Sequence, residues 1–328
     1  MSVNETPRQV ILGGYIITAK IADGGMATLY LGCPTDGSAS SELVALKVIK
    51  EGLASDEAHV HMFLDEAGIL SRLSHPNVVQ TREFGFTSGG HGYIAMELLR
   101  GHTLAEAWDA HASEGDRMPL PLGAWICARV AEGLHAAHAL RDEEGGLLQV
   151  IHRDVNPTNV FLTYEGQVKL IDFGLARARH RRARTGDGIV KGKIPYLAPE
   201  QAAQGPIDRR IDVFALGATL WEVVTGRRLF KRSTDAETLQ AVWDANIPDV
   251  RELVPRLPER LALIVRRAVA VAPDDRYGTA AELRRDLDAF LASRGEFPDK
   301  ETLASYLEDR FPGQRAWQDA WIARASAT

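Results

Sequence analysis

Three oxygen-bearing side chains are spaced so that they could bind a metal ion and activate a hydroxyl. Two apolar, β-branched runs, 160–162 and 168–171, flank a polar turn and predict a β-hairpin. We expect Asn159 and Asp172 to lie opposite each other at its open end, because each is equally far from the turn. An amide oxygen and a carboxylate there suit a hard cation such as Mg²⁺. Asp154 follows an apolar strand just upstream, and a carboxylate beside a cation is what phosphoryl transfer requires.

Three short motifs carry a resemblance to a known family. They are His152-Arg153-Asp154 with Asn159, then Asp172-Phe173-Gly174, then Ala198-Pro199-Glu200. In this order and spacing they resemble the signature set of protein kinases, and more narrowly the bacterial, Hanks-type Ser/Thr kinases. The resemblance implies an α+β, two-lobed fold. Its N-lobe would hold a five-stranded antiparallel sheet with one helix, and its C-lobe would be mostly α-helical.

The resemblance also divides the chain. We expect a flexible segment at residues 1–9 and a kinase domain at 10–292, with its N-lobe at 10–98 and its C-lobe at 101–292. A C-terminal extension follows at 293–328. Its periodicity predicts two helices, one carrying Leu303, Leu307 and Phe311 and one carrying Trp317 and Trp321. They either pack against the large lobe or form a docking site for a partner or regulatory domain.

Nucleotide binding is implied for the N-lobe. Residues 21–29 correspond to the glycine-rich loop, although Ala22 and Ala27 replace its outer glycines and Leu29 replaces its valine. The alternating strand 44–49 places Ala45 and Lys47 on one face, where a small residue admits adenine and the lysine reaches phosphates. The expected ATP contacts are Ile21, Ala22, Asp23, Gly24, Gly25, Met26, Ala27, Thr28, Leu29, Ala45, Lys47, Met96, Glu97, Leu99 and Phe161.

Glu66 is the expected partner of Lys47. Residues 57–73 show helical periodicity, and Glu66 lies within or beside the apolar stripe. A carboxylate close to a core needs a partner or it becomes neutral. The alternative, a boundary glutamate that reaches water, stays open.

The resemblance assigns the chemistry to a few residues. Asp154 would orient the substrate hydroxyl and accept its proton, while Asn159 and Asp172 would bind Mg²⁺, with Mn²⁺ as a substitute. One residue departs from the family: Asn156 stands where a lysine usually contacts the transferred phosphate. Lys193, in a segment that faces this loop in the family, either supplies the missing charge or points to solvent.

Regulation is expected in the activation segment. Thr185 is the one aliphatic hydroxyl between Leu175 and Pro195, and it follows a run of arginines. A phosphate there would pair with guanidinium groups, Arg153 among them. We therefore expect autophosphorylation at Thr185, with a basic loop that has no switching role as the alternative. By resemblance, Glu200 and Arg276 form an ion pair.

Asp212 is expected on a buried helix, where its carboxylate would accept N–H bonds from the loop around Asp154. This role is implied by the resemblance and is structural.

Composition excludes several other classes. The 328 residues are 45% hydrophobic and 25% charged, with a formal net charge of -6, so nothing indicates nucleic-acid binding. Cys33 and Cys127 form neither a disulfide framework nor a metal pattern. Without an apparent signal peptide or membrane span, we expect a cytoplasmic enzyme that acts on protein substrates.

Two rival functions stay open. The first is a pseudokinase that binds ATP and partners without efficient catalysis. The altered glycine-rich loop and Asn156 favour it slightly, but the catalytic residues that the chain retains argue against it more strongly: Lys47, Glu66, Asp154, Asn159 and Asp172. The second is a small-molecule phosphotransferase of related fold, a class that lacks the full activation segment ending in Ala-Pro-Glu.

Overall fold

The computed structural model describes residues 10–35, 42–50, 52, 63, 67–87, 90–173 and 194–327. Expectations for residues 1–9, Glu66, Gly174, Thr185 and Lys193 lie outside this set. The chain divides into two compact units. The first unit holds residues up to Ser74, Val79–Arg100 and Gly313–Thr328, and the second unit holds His75–Val78 and Gly101–Pro312.

The first unit is built on an antiparallel sheet with the strand order β1-β2-β3-β4-β6-β5. Its strands are β1 (Ile11–Leu12), β2 (Tyr15–Asp23), β3 (Ala27–Pro34), β4 (Val44–Ile49), β5 (Thr81–Phe86) and β6 (Gly92–Glu97). In the described part of the chain this sheet has six strands, so the expected number of five strands is wrong by one. The chain turns at Gly13, whose positive φ of 56° separates β1 from β2. The sequence pattern of residues 10–15 predicts one continuous strand, and this prediction is wrong because the turn at Gly13 interrupts it.

Strand β4 has the predicted alternation, and its two faces belong to different clusters. Val44 and Leu46 pack with Tyr93 and Ala95 on one face. On the other face Ile49 joins a cluster with Phe63, Ala67 and Ile94, with Met96 packed against it. Residues 67–71 are helical. The face that carries Ala45 and Lys47 is therefore the face covered by this helical segment.

The second unit is mostly helical and contains a small sheet, β7 (Gly101–Thr103), β8 (Val160–Thr163) and β9 (Val168–Leu170). Its helices are α1 (Leu104–Glu114), α2 (Leu120–His138), α3 (Pro199–Ala202), α4 (Arg210–Thr225), α5 (Asp235–Asp244), α6 (Val250–Leu253), α7 (Glu259–Ala268), α8 (Ala280–Ser293) and α9 (Lys300–Arg310). Helix α4 is buried on all sides, and it carries apolar residues around its whole circumference. At Gly217 it approaches α7 so closely that a Cβ would lie 2.7 Å from the Ala268 side chain.

The C-terminal extension places one helix in each unit. Helix α9 begins with an Asp299 capping box and buries Leu303 and Leu307 completely in the second unit. Helix α10 (Gln314–Ser326) belongs instead to the first unit, where it packs on β2 and β3. Arg100 pairs with Asp319 at 2.7 Å in that unit. Packing on the large lobe is therefore confirmed for α9 and wrong for α10.

None of the helices in the described ranges is long and apolar enough to cross a membrane.

Truncating Leu307 tests the contribution of α9 to the second unit. We expect Leu307→Ala to lower the free energy of unfolding by about 2–5 kcal/mol, because it removes buried methyl groups and leaves a cavity. Chemical denaturation followed by circular dichroism measures the change. Ser305→Ala, on the exposed side of the same helix, should stay within about 0.5 kcal/mol of the parent. Equal stability of the two variants would show that α9 is not part of the core.

Candidate active site

The predicted hairpin is present, but its register differs by one residue. Val160 pairs with Leu170 and Leu162 with Val168. The Asn159 carbonyl accepts the N–H of Ile171 at 3.0 Å, so the expected Asn159–Asp172 pairing is wrong. The predicted turn has the four residues from Tyr164 to Gln167, but the loop holds only three, because the N–H of Thr163 donates to the Gln167 carbonyl at 2.9 Å. Such a short loop requires a left-handed residue, which Gly166 supplies with a φ of 76°.

Asp172 is displaced by one position from the expected pair, and it adopts a left-handed backbone with a φ of 55°. A shift of one residue would turn a regular strand side chain to the opposite face. Strand β9 has ended at Leu170, so the alternation does not continue to Asp172. The structure therefore keeps Asn159 and Asp172 at the same end of the hairpin, although not as a pair.

Asp154 lies in the loop before this hairpin and is almost fully buried. Asn159 donates through Nδ2 to the Asp154 carbonyl at 2.8 Å and to its Oδ2 at 2.9 Å. Asn156 donates to the same carbonyl at 2.8 Å and to Oδ1 at 3.3 Å. Each carboxylate oxygen of Asp154 thus accepts a hydrogen bond from a different amide.

Asp212, on α4, holds the start of this loop. Its carboxylate accepts the N–H of His152 and the N–H of Arg153, each at 2.8 Å, as expected. The ring Nε2 of His138 lies 2.8 Å from the same carboxylate. Burial alone would raise the pKa of Asp212, but the hydrogen bond and charge of His138 and the backbone donors hold it below its usual value. Arg153 has a positive φ of 65°, and its N–H bond to Asp212 fixes this conformation.

A buried ion pair fixes the chain just after the activation segment. Arg276 donates to both oxygens of Glu200, at 2.6 and 2.8 Å, which confirms the expected pair. Its guanidinium also donates to the Ala270 carbonyl at 2.6 Å. The pair is bidentate and the Arg276 side chain is completely buried, so the geometry is that of a strong charge-assisted contact.

A second buried carboxylate, Glu222, also holds the chain just after the activation segment, and the sequence did not predict this role. Glu222 is buried, and its Oε2 accepts hydrogen bonds from the Tyr196 hydroxyl at 2.8 Å and from Arg228 at 2.9 Å. The Arg228 guanidinium lies 3.8 Å from the ring centroid of Trp108. Burial raises the pKa of Glu222. A glutamate inside the apolar run 220–224 was the available signal, because a buried carboxylate requires a partner.

The turn of the hairpin is covered by the C-terminal extension. A Cβ on Gly166 would lie 1.8 Å from the Lys300 carbonyl at the start of α9. The Tyr164 hydroxyl lies 2.9 Å from Nε2 of His102 in a buried hydrogen bond. The His102 ring stacks on Phe311, at the end of α9, with centroids 3.7 Å apart. Helix α9 therefore contacts the hairpin both directly and through His102.

In the first unit, the expected glycine-rich loop is the tip of the β2–β3 hairpin. Asp23 pairs with Thr28, and the N–H of Gly24 donates to the Ala27 carbonyl at 3.0 Å. The Asp23 carboxylate contacts Lys20 at 2.6 Å and Lys50 at 2.7 Å. These two bonds lower the pKa of Asp23. The tip is thus closed by exposed ion pairs rather than by additional glycines.

The other expected ATP contacts of this unit lie on neighbouring strands. Lys47 is paired with Leu29 on one side and with Ile94 on the other, and Ala45 is paired with Met96. The side chain of Glu97 accepts the N–H of Gln80 at 2.8 Å. Leu99 follows β6, while Phe161 lies on β8 in the second unit. Glu66 lies outside the described residues, so the expected ion pair with Lys47 stays a prediction.

Comparison with known proteins establishes the family. A family model for the protein kinase domain matches residues 15–286. The chain therefore belongs to the protein kinase family, and the expected fold class is confirmed.

Relatives by sequence include bacterial kinases. The chain is 39% identical over 303 residues to tyrosine-protein kinase MasK of Myxococcus xanthus, covering 92% of this chain and 47% of MasK. It is 34% identical over 277 residues to serine/threonine-protein kinase PknL of Mycobacterium tuberculosis, covering 84% of this chain and 65% of PknL. It therefore spans about half to two thirds of these relatives' length.

Solved structures agree with this membership. The kinase domain of PknI from Mycobacterium tuberculosis matches with a TM-score of 0.62 at 26% identity, covering 88% of this chain and 99% of that domain.

Proposed function

We propose that the chain is an ATP-dependent protein kinase that transfers the γ-phosphoryl group to Ser and Thr hydroxyls of proteins. The observation that carries this proposal is the Asp154 carboxylate, held at both oxygens by amides in a loop that Asp212 fixes. Membership of the kinase family and the names of PknL and of PrkC from Bacillus subtilis support it.

Asp154 is suited to orient a substrate hydroxyl and to accept its proton. An ionised carboxylate oxygen can accept two hydrogen bonds, and the amides of Asn156 and Asn159 take one at each oxygen. The two amides restrict the direction of both carboxylate oxygens. Positioning of this kind supplies much of the rate gain in phosphoryl transfer, where little covalent chemistry falls to the protein.

Asn159 and Asp172 fit a Mg²⁺ ion. The Nδ2 atom of Asn159 is used by Asp154, which leaves Oδ1 as the atom for a cation. Asp172 adds a carboxylate at the same end of the hairpin. Two protein ligands suffice, because Mg²⁺ keeps waters and binds substrate phosphates, and Mn²⁺ accepts the same donors. When bound, the ion would neutralise the charge of the phosphates.

The first unit supplies the nucleotide contacts in this proposal. Lys47, steadied by Glu66, would bind the α- and β-phosphates, and residues 21–29 would cover them. Ala45 and Met96 would border adenine. The backbone groups of Glu97 and Leu99 would contact the edge of adenine, and Phe161 is a further proposed contact of the nucleotide.

The acceptor hydroxyl has one competing assignment. MasK, at 39% identity, is named a tyrosine kinase, which favours transfer to tyrosine. The names of PknL and PrkC favour Ser and Thr, as do Pro157 and Tyr196 in the sequence pattern. Phosphoamino-acid analysis of the labelled product distinguishes the two.

Replacing Asp154 tests catalysis itself. We expect Asp154→Asn to lower radiolabel transfer from γ-labelled ATP by about 10²- to 10⁴-fold, the range for losing a general base. Binding of Mg-ATP, measured by calorimetry, should change little. Asp309→Asn, an exposed carboxylate on α9, is the matched control and should keep full activity. A wild-type protein that binds nucleotide but transfers no more label than Asp154→Asn would favour the pseudokinase alternative.

Thr185 is the proposed site of autophosphorylation. After incubation with Mg-ATP, mass spectrometry should find a phosphate on the peptide that holds Thr185, and none in Asp154→Asn. Because a phosphate would pair with the neighbouring arginines, Thr185→Ala should lower activity by about tenfold or more, the effect of one charge-assisted hydrogen bond. Undiminished activity of Thr185→Ala would reject the switch.

Lys193 is proposed to supply the positive charge that is missing at position 156. Lys193→Ala should lower kcat by about tenfold or more and leave the KM for ATP almost unchanged, because the charge would act on the transferring group. Lys191→Ala removes a cation two residues away and serves as the control. Equal rates for the two variants would show that Lys193 has no part in transfer.

The proposed partners are protein substrates. A partner or regulatory domain at the C-terminal extension is a further proposal, which the exposed Trp317 on α10 supports.

A further inference from the structure

Asn156 makes hydrogen bonds within the loop around Asp154, although from the sequence it is notable only because it replaces the usual lysine. Its side chain is buried. Through Nδ2 it donates to the Asp154 carbonyl at 2.8 Å and to the Asp154 carboxylate at 3.3 Å. Through Oδ1 it accepts the N–H of Thr158 at 2.9 Å and the Thr158 hydroxyl at 2.5 Å. Both ends of the amide are therefore used within the loop.

Asn156 and Asn159 hold Asp154 in matching ways. Each donates to the same main-chain carbonyl, but Asn156 reaches Oδ1 and Asn159 reaches Oδ2. The terminal torsion of an aspartate is broad when nothing restrains it. The carboxylate is rigid, so a donor at each oxygen restricts this rotation more tightly than a donor at one oxygen alone. The two amides together fix the plane of the carboxylate.

We infer that Asn156 is a positioning residue that sets the orientation of the Asp154 carboxylate for its reaction with the substrate hydroxyl. This inference rests on the proposed kinase function. It gives the neutral residue at this position a role of its own, in place of the phosphate contact that a lysine would make. Groups that hold a reacting side chain in a productive geometry contribute to rate more than to substrate affinity.

A purely structural role for Asn156 makes a different prediction. Asn156 is also the N-cap of the short 3₁₀ helix Pro157–Asn159, where its Oδ1 accepts the Thr158 N–H. Asp and Ser serve as N-caps about as well as Asn. Neither presents an amide donor to Asp154. The substitutions Asn156→Ser and Asn156→Asp therefore keep the cap and remove the amide donor, and the ionised Asp side chain has no donor of any kind.

The experiment measures kcat and the KM for ATP in both variants, with a peptide that the wild-type protein phosphorylates. We expect kcat to fall by about 10- to 100-fold in each, the scale of a misplaced catalytic group. The KM for ATP should stay within about twofold, because the donor does not contact the nucleotide. Thr158→Val is the matched control. It removes the hydroxyl contact on the acceptor side of Asn156, leaves the donor in place, and should keep kcat within about twofold.

Either variant keeping wild-type kcat, or a loss confined to the KM, would overturn the inference and leave Asn156 as a cap. Crystal structures of wild type and Asn156→Ser give a second readout that does not depend on turnover. A rotated or disordered Asp154 carboxylate in Asn156→Ser supports the inference, and an unchanged orientation overturns it. Absence of transfer by the wild-type protein would overturn the kinase proposal, while the orientation of Asp154 would still decide the role of Asn156.

Discussion

The buried carboxylate of Asp212 is the contact on which the candidate site of the second unit depends. It lies on α4, a helix surrounded by core, and accepts two consecutive N–H groups of the loop that leads to Asp154. A carboxylate can remain charged in such a place only because His138 and the backbone donors compensate for lost water. The loop is consequently anchored to a helix in the core of the unit, and the positive φ of Arg153 is maintained by this anchor.

The fold class and the principal motifs could be predicted because they depend on local pattern. Strand β4 was found to the residue by its alternation, and the Glu200–Arg276 pair and the role of Asp212 followed from the family resemblance. The register of the β8–β9 hairpin was not predicted correctly because it depends on the length of the loop. The observed loop has three residues, with Gly166 in the left-handed region. Its composition does not distinguish it from a four-residue loop.

Contacts between segments that are distant in sequence were the other kind of feature that could not be predicted. The Tyr196–Glu222–Arg228 cluster joins Tyr196 to two residues at and just after the end of α4, and only the burial of Glu222 indicated it in the sequence. From the sequence, Asn156 was interpreted only as the absence of the usual lysine. The residue type tells which hydrogen-bond donors are present but not which acceptors they reach. Packing on the large lobe was one expectation for helix α10, yet the helix packs on β2 and β3. Its periodicity predicts an apolar face but not the surface that covers this face.

Contact between α9 and the hairpin turn has a consequence for how this chain can change over evolutionary time. The Lys300 carbonyl leaves no room for a side chain at position 166, and Phe311 covers the ring that holds Tyr164. Lys300 and Phe311 lie beyond residues 15–286, the segment that matches the family model. Position 166 is thus constrained by a backbone atom that lies outside the segment matched by the family model, so a chain that carries this tail tolerates no side chain at that turn.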